Sequence, residues 1–277
     1  MTEPADEGVA IAVRDSHSWS SLTTRQIREW ASRPEAVVVL PIGAIEQHGA
    51  HLPVDVDVHI ATELALRAAR TDGGALVAPA LAFGLSASHR RFPGTLSLRT
   101  ETMLAVVHDL LTSIVGSGFR RILLLNGHNG NAAILGQVAI DVGLETGAEV
   151  YSVAYFDLAA ETYRSLRATA DGGSGHACEF ETSIQLALRP DAVGDERDVH
   201  YVQPTVAGSF ADIVRRGFVA RANDLARNYP TGVMGDPSAA TSELGEALVE
   251  AAVQGLVGLL RDIRSASRAS EEDGVGD

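Results

Sequence analysis

The chain is short of cysteine, of long apolar runs, of positive charge and of tryptophan, and each shortage excludes something. Its one cysteine, Cys178, rules out an intrachain disulfide framework and fits a reducing compartment. No apolar stretch approaches the roughly 18 residues that a membrane helix needs. Residues 1–15 carry four acidic side chains and no apolar segment of signal-peptide length. Export and membrane insertion are therefore not expected, and the expected location is the cytoplasm. Lys and Arg number 22 against 36 Asp and Glu, a net charge of −14. That balance argues against a nucleic-acid or anionic-membrane partner, because phosphate recognition needs clustered basic side chains.

What is present is an ordinary globular composition over 277 residues, 45% hydrophobic and 21% charged. Short β-branched or leucine-rich runs alternate with longer amphipathic stretches, the pattern of βαβ units around a parallel sheet. Strands are expected over 37–42, 75–79, 121–125 and 150–154. Helices are expected over 20–30, 58–70, 100–115, 132–145, 180–188 and 238–263. No internal repeat is visible. Residues 17–264 read as one α/β domain, less regular over 190–237, between disordered tails at 1–16 and 265–277.

Ligands of such sheets gather where loops leave the carboxyl ends of the strands, and the polar residues bunch there. In Glu46-Gln-His48-Gly-Ala-His51-Leu-Pro-Val-Asp55-Val-Asp57, the side chains of Glu46 and His48 are two apart, so an extended segment points both the same way. A carboxylate and an imidazole converging on one point suit zinc, manganese or iron, and a folded-back Asp57 could bridge two such ions. The plainer alternative is a polar surface loop. In Asn126-Gly-His128-Asn-Gly-Asn131, flanking glycines let the backbone turn sharply and expose His128. A phosphate-cradling loop would compete, but neither a Walker spacing nor G-x-G-x-x-G is present. In His176-Ala-Cys178-Glu179-Phe-Glu181, His176 and Glu179 are three apart at the start of a helix and could share one face. Acidic residues are favoured there by the helix dipole alone, which is the competing account of Glu179 and Glu181. His17, His59, His108 and His200 read as surface or structural, and His89 sits in a polar loop beside the second strand. Cys178 lacks an orienting partner at a recognisable spacing and reads as a small packed residue.

Together these clusters resemble the creatininase (creatinine amidohydrolase) family. The matching pieces are Glu46-Gln-His48-Gly with Asp57, Phe92-Pro-Gly-Thr-Leu-Ser97, Asn126-Gly-His128-Asn-Gly-Asn131, His176-Ala-Cys-Glu-Phe-Glu181-Thr and Gly232-Val-Met-Gly-Asp-Pro237, in that order along the chain. The resemblance implies a three-layer α/β/α sandwich with a mainly parallel central sheet. It also implies a homo-oligomer, often a hexamer, that hydrolyses C–N amide bonds at a centre of two divalent metal ions. Carried over by position, Glu46 and His128 hold one metal, His48 the other, and Asp57 bridges them. His176 is the proton-transfer histidine, with Glu181 supporting it. His89, Thr95 and Asn129, in or beside the matched motifs, are the expected substrate contacts.

The chain departs from creatininase proper at three places. A metal-binding glutamate two residues after the third-strand histidine is here Gly130. Family members with glycine there commonly carry a glutamate three residues after the later histidine, so the resemblance names Glu179 as the replacement ligand, with Glu181 as second choice. The substrate-packing tryptophans are missing, since Trp19 and Trp30 both precede the first motif and Asp171-Gly-Gly-Ser-Gly175 offers no aromatic. Cys178 stands where glycine is usual. The first two changes shift the expected substrate from creatinine to another small cyclic amide or a formamide, and the third could narrow the pocket. Alternatives within the family are a peptidase acting on a mycofactocin-type precursor and a formamidopyrimidine nucleotide deformylase, for which Arg90 and Arg91 could bind phosphate. Outside it stand a non-catalytic metal-binding protein of the same fold and a flavodoxin-like nucleotide binder. The metal, whether zinc, manganese or iron, is not fixed by the ligand types.

Overall fold

The four apolar runs pair as one parallel sheet in the computed structural model, which describes residues 15–202 and 224–273. Strands β1 (Val37–Ile42), β2 (Ala75–Val77), β3 (Arg121–Asn126) and β4 (Glu149–Ala154) lie in the order β2-β1-β3-β4. Alternation along each strand sends side chains to opposite faces. Val37, Val39, Leu123 and Leu125 pack with α2 (Val56–Asp72), α7 (Glu179–Leu188) and α9 (Ser242–Asp273) on one side. Val38, Leu40, Ile122 and Leu124 pack with α1 (Thr24–Ala31), α3 (Thr100–Gly116) and α4 (Ala132–Thr146) on the other. This is the expected three-layer α/β/α sandwich. Strands β1, β2 and β3 are buried on both faces, which explains their continuous apolar reading.

The expected elements are present, with displaced ends. The first helix starts at Thr24 rather than residue 20, because Thr23 and Gln26 form a reciprocal capping box. The last helix starts at Ser242, where the Leu244 N–H bonds the Thr241 hydroxyl at 3.1 Å. It continues past Ser265, the expected start of a disordered tail, to Asp273. No glycine or proline interrupts residues 259–273, and Arg264 anchors this end to Asp72 through bonds of 2.7 and 2.5 Å. The remaining expected tails, 1–14 and 274–277, lie outside the described residues, as does 203–223 of the less regular stretch. Helices α5 (Tyr155–Leu158) and α6 (Ala160–Leu166) were too short for periodicity to reveal. So was the antiparallel pair β5 (Ser174–His176) and β6 (Met234–Gly235). A short helix α8 (Leu225–Asn228) follows the undescribed segment. No helix among the described residues is long and apolar enough to cross a membrane.

The strand order has one consequence for function. From β1 the chain passes through α2 to β2 on one side; from β2 it passes through α3 to β3 on the other side of β1. The reversal lies between β1 and β3, whose last residues, Ile42 and Asn126, are paired. Loops leaving these two strand ends diverge and open a crevice, the usual ligand position in such sheets. Gly127 lets helix α2 dock against this crevice, since a Cβ there would fall 2.2 Å from the Asp57 carbonyl oxygen.

Candidate metal centre

Six acidic and imidazole side chains meet in the crevice, from five parts of the chain. Glu46 and His48 come from the loop after β1, His128 from the turn after β3 and His176 from the end of β5. Asp57 and Glu181 come from the first turns of α2 and α7. The positive ends of both helices favour carboxylates there. Arg189, following α7, grips Asp55 at the start of α2 through bonds of 3.1 and 2.7 Å, which fixes the two helix starts relative to each other. The polar motif around His128 staples the loops together. The Asn131 amide nitrogen donates to Gly43 O at 3.0 Å, its oxygen accepts from the Leu85 N–H at 2.9 Å, and Asn126 Oδ1 accepts from the His128 N–H at 3.0 Å.

Every one of these groups is buried. His128 Nδ1 lies 3.1 Å from Asp57 Oδ2 and 3.4 Å from Glu46 Oε1. His48 Nε2 lies 3.3 Å from Asp57 Oδ1 and 3.8 Å from Glu181 Oε1. Two sets of three ligand atoms result, Glu46–Asp57–His128 and His48–Asp57–Glu181, with Asp57 common to both. His176 Nδ1, 3.6 Å from Glu46 Oε1, adds a third grouping with Glu46 and His48. The outward nitrogens are committed to backbone carbonyls: His48 Nδ1 to Glu46 O at 3.0 Å, His128 Nε2 to Leu85 O at 3.1 Å and His176 Nε2 to Gln47 O at 2.7 Å. A carbonyl only accepts, so those nitrogens carry the hydrogen, and in the neutral rings the inward ones present lone pairs.

These residues fit a divalent metal centre. Glu46 Oε2, His48 Nε2 and Asp57 Oδ2 are buried and have no hydrogen-bond partner, the state a metal ligand shows when its coordination bond is left out of account. Among the described residues, the ion pairs of Glu46, Asp57 and Glu181 are all to histidines. Three buried carboxylates without a fixed cation are costly. Protons respond to the same deficit. Burial works against charge on His48, but Asp57 and Glu181 hold its pKa well above the ordinary value. Burial likewise opposes charge on His128, and Glu46 and Asp57 raise it well above normal. Burial pushes the Glu46 carboxyl up, yet His128, His89 and His176 hold it well below the usual range. A metal ion would compete with these protons for the same lone pairs. His176 is pushed the other way, down, by burial and then by the neighbouring His48.

Glu179, expected to be the replacement ligand, does not reach the cluster. Its carboxylate turns outward and accepts from Tyr163 Oη at 2.9 Å, the Ala168 N–H at 2.7 Å, and the Thr169 N–H and hydroxyl at 3.3 and 2.5 Å. Glu181, the second choice, is the one that joins His48 and Asp57 in the cluster. Its Oε1 faces His48, and its Oε2 accepts the Ala177 N–H at 2.6 Å. That bond holds Ala177 at φ 50°, a conformation unusual for a residue with a Cβ, in the link between His176 and α7. Glu181 therefore also fixes the backbone link that follows His176. A side chain at Gly130 would place its Cβ 2.4 Å from His128 Nε2 and 2.6 Å from Leu85 O, so the His128–Leu85 bond occupies that space.

Of the expected substrate contacts, His89 is buried beside the cluster, its Nε2 3.7 Å from Glu46 Oε1. Thr95 instead accepts the Gln47 N–H at 3.1 Å, and Asn129 is exposed. Cys178 is buried, and desolvation raises its thiol pKa to about 12, consistent with a packed residue and not a nucleophile. Sequence reasoning missed Gln47 and Tyr163, which bond His89 and Glu179 respectively. Gln47 stood between two singled-out residues, but alternation placed it on the far side.

The family model for creatininase, described as creatinine amidohydrolase, matches residues 20–260. The chain is 31% identical over 257 residues to the creatinine amidohydrolase of Pseudomonas putida, covering 87% of this chain and 95% of that one. It is 35% identical over 241 residues to a mycofactocin precursor peptide peptidase of Mycobacterium tuberculosis, covering 79% and 82%. A crystal structure of creatininase superposes with a TM-score of 0.76 at 29% identity, covering 88% of this chain and 96% of that one. Solved creatininases of this fold include a manganese form and a zinc–zinc form of a mutant.

Proposed function

The chain belongs to the creatininase family of metal-dependent amidohydrolases, and on that footing we propose that it hydrolyses the C–N bond of a small cyclic amide or a formamide. The observation that carries this reading is the buried group of carboxylates with inward lone pairs and three unpartnered ligand atoms. Glu46, His128 and Asp57 would hold one divalent ion; His48, Glu181 and Asp57 would hold the second. Bound there, the ions supply a water of lowered pKa and an electrophile for the carbonyl oxygen.

The chain's own residues do the rest. Glu46 and His48 are each already engaged with Asp57 in a ligand set, which leaves His176 free for proton transfer. Its Nε2–H is pinned to Gln47 O, its Nδ1 faces the cluster, and burial and then the neighbouring His48 push its pKa down, which favours the neutral ring. It takes a proton and returns it to the departing nitrogen, a contribution of about 10²–10⁴-fold. His176→Ala is expected to keep its metal and lose turnover, whereas Asp57→Ala loses both. Full activity in metal-free Asp57→Ala protein would end this account.

The absence of aromatic residues from 170–178 favours a substrate other than creatinine. The phosphorylated alternative is less favoured, because Arg90 and Arg91 are both exposed and Arg91 is paired with Asp224 at 2.9 Å. A peptide substrate is the second reading, favoured by the 35% identity to a peptidase. Hydrolysis of a panel of lactams, formamides and short peptides separates the two. Homo-oligomeric assembly and a cytoplasmic location remain part of the proposal. Leu144 and Ile140 on α4, 84% and 58% exposed, supply apolar surface for self-association, which light scattering would measure.

A further inference from the structure

Four imidazoles face the carboxylates, and one of them is wired differently from the rest. The outward nitrogens of His48, His128 and His176 meet carbonyl oxygens. The outward nitrogen of His89, Nδ1, meets instead the carboxamide nitrogen of Gln47 at 3.1 Å. Which way that carboxamide points is decided at both its ends. Its oxygen accepts the Gly49 N–H at 2.9 Å, and its nitrogen donates to Gly232 O at 3.1 Å. Reversing the amide would set oxygen against the Gly232 carbonyl and NH₂ against the Gly49 N–H. Nor can the group swing away, since Gly232 closes over it so tightly that a Cβ there would fall 1.9 Å from Oε1.

The amide nitrogen has two hydrogens. One goes to Gly232 O and the other to His89 Nδ1, which must accept it. The 3.2 Å approach of the same nitrogen to His176 Nε2 brings two donors side by side, because His176 gives its hydrogen to Gln47 O. With Nδ1 accepting, the neutral His89 ring carries its proton on Nε2, the atom turned toward Glu46. As neutral rings, three imidazoles therefore bring lone pairs to the crevice and one brings a hydrogen.

We propose that His89 is a catalytic hydrogen-bond donor, its Nε2–H directed at the oxygen that becomes negative as the substrate carbonyl turns tetrahedral. Gln47 is the positioning residue that holds His89 in the donating tautomer. The proposal rests on the hydrolase reading above and assigns it a donor that the ligand set lacks. Carboxylates and inward lone pairs bind cations and accept protons, but they offer no hydrogen to a developing oxyanion. A fixed donor in a water-poor site serves that need, and removing one such donor elsewhere costs about 10²–10³ in kcat.

The test reads the tautomer directly. In zinc-loaded, ¹⁵N-histidine-labelled protein, imidazole nitrogen shifts are expected to show His89 with a protonated Nε2 and an unprotonated Nδ1. Gln47→Glu, which replaces the donor by an acceptor, should move that proton to Nδ1. His89→Phe should lower kcat about 10²-fold with metal content unchanged, and His89→Gln, which keeps an N–H, should recover part of the loss. A proton on Nδ1 in the wild type, or spin coupling of His89 to a substituted cadmium ion, overturns the assignment even if the Gln47 variant does not fold. Full kcat in His89→Phe, in a preparation whose wild type turns over amides, overturns the donor role alone. A metal-loaded wild type that hydrolyses no lactam, formamide or peptide overturns the hydrolase reading instead, and the tautomer measurement still stands as the record of how Gln47 holds the ring.

Discussion

The first turn of α7 carries two buried glutamates with opposite fates. Glu179 points toward Tyr163 and the Ala168–Thr169 backbone, where four hydrogen bonds satisfy its carboxylate. Glu181 points toward His48, takes one backbone hydrogen bond from Ala177, and leaves its other oxygen facing the crevice. Both lie in the same helix dipole and both are shielded from water. What separates the two carboxylates is the coordination capacity left over once local donors have been counted. Glu179 has little, and Glu181 shares a ligand set with His48 and Asp57.

The sharpest way to break that contrast is to remove each charge with little change of shape. Glu181→Gln should lose a metal ion and lower kcat by about 10²-fold or more, beyond the effect of losing a residue that only orients a ligand. Glu179→Gln should keep metal and turnover. It would instead set an amide NH₂ among the donors of residues 168–169, leaving a buried donor unpaired at a cost of about 1–3 kcal/mol, a fall of several degrees in Tm. Calorimetry beside steady-state kinetics checks both.

Chelation should divide the same pair. Stripping metal removes linkage stabilisation of about 4 kcal/mol for an ion present at 1,000 times its Kd. The chelator-induced drop in Tm is therefore expected to be large in the wild type and in Glu179→Gln, and smaller in Glu181→Gln.

A gentler probe lies one residue beyond Glu181, where the Thr182 hydroxyl is 3.0 Å from His51 Nε2. Burial, then the charge of Arg197, lowers the His51 pKa from 6.5 to about 4. The folded state thus binds fewer protons than the unfolded chain between these values. His51 contributes stability that is fully present above pH 6.5 and is lost as pH falls toward about 4. In chelator-treated protein, His51→Gln should flatten this acid limb of the denaturation profile. The smallest expected effect is at Cys178, whose Cβ a side chain at Gly235 would approach to 2.8 Å. Cys178→Ala should cost about 1 kcal/mol and leave metal content unchanged.

The layers and the strand-end clusters were legible in the sequence because they follow from local pattern. Buried parallel strands read as apolar runs, and the loops after β1 and β3 adjoin in any sheet that reverses between them. Choosing between Glu179 and Glu181 was not a local question. Two positions two residues apart on a helix differ by about 200°, so they cannot face the same way, and only the docking of α7 decides which one faces the crevice. The expectation that His176 and Glu179 share a helical face failed for a related reason. His176 belongs to β5, and the left-handed turn at Ala177 resets the periodicity before α7 begins. Gln47 was hidden because the segment carrying Glu46 and His48 is an irregular loop whose side chains do not alternate as in a strand.

The measurement that bears most directly on the central claim is metal content by plasma mass spectrometry on native protein, Glu181→Gln and Glu179→Gln, prepared side by side. A centre of the two-ion type predicts about two equivalents per chain in the native protein and in Glu179→Gln, and about one in Glu181→Gln. Loss of metal from Glu179→Gln with full occupancy in Glu181→Gln would contradict the account.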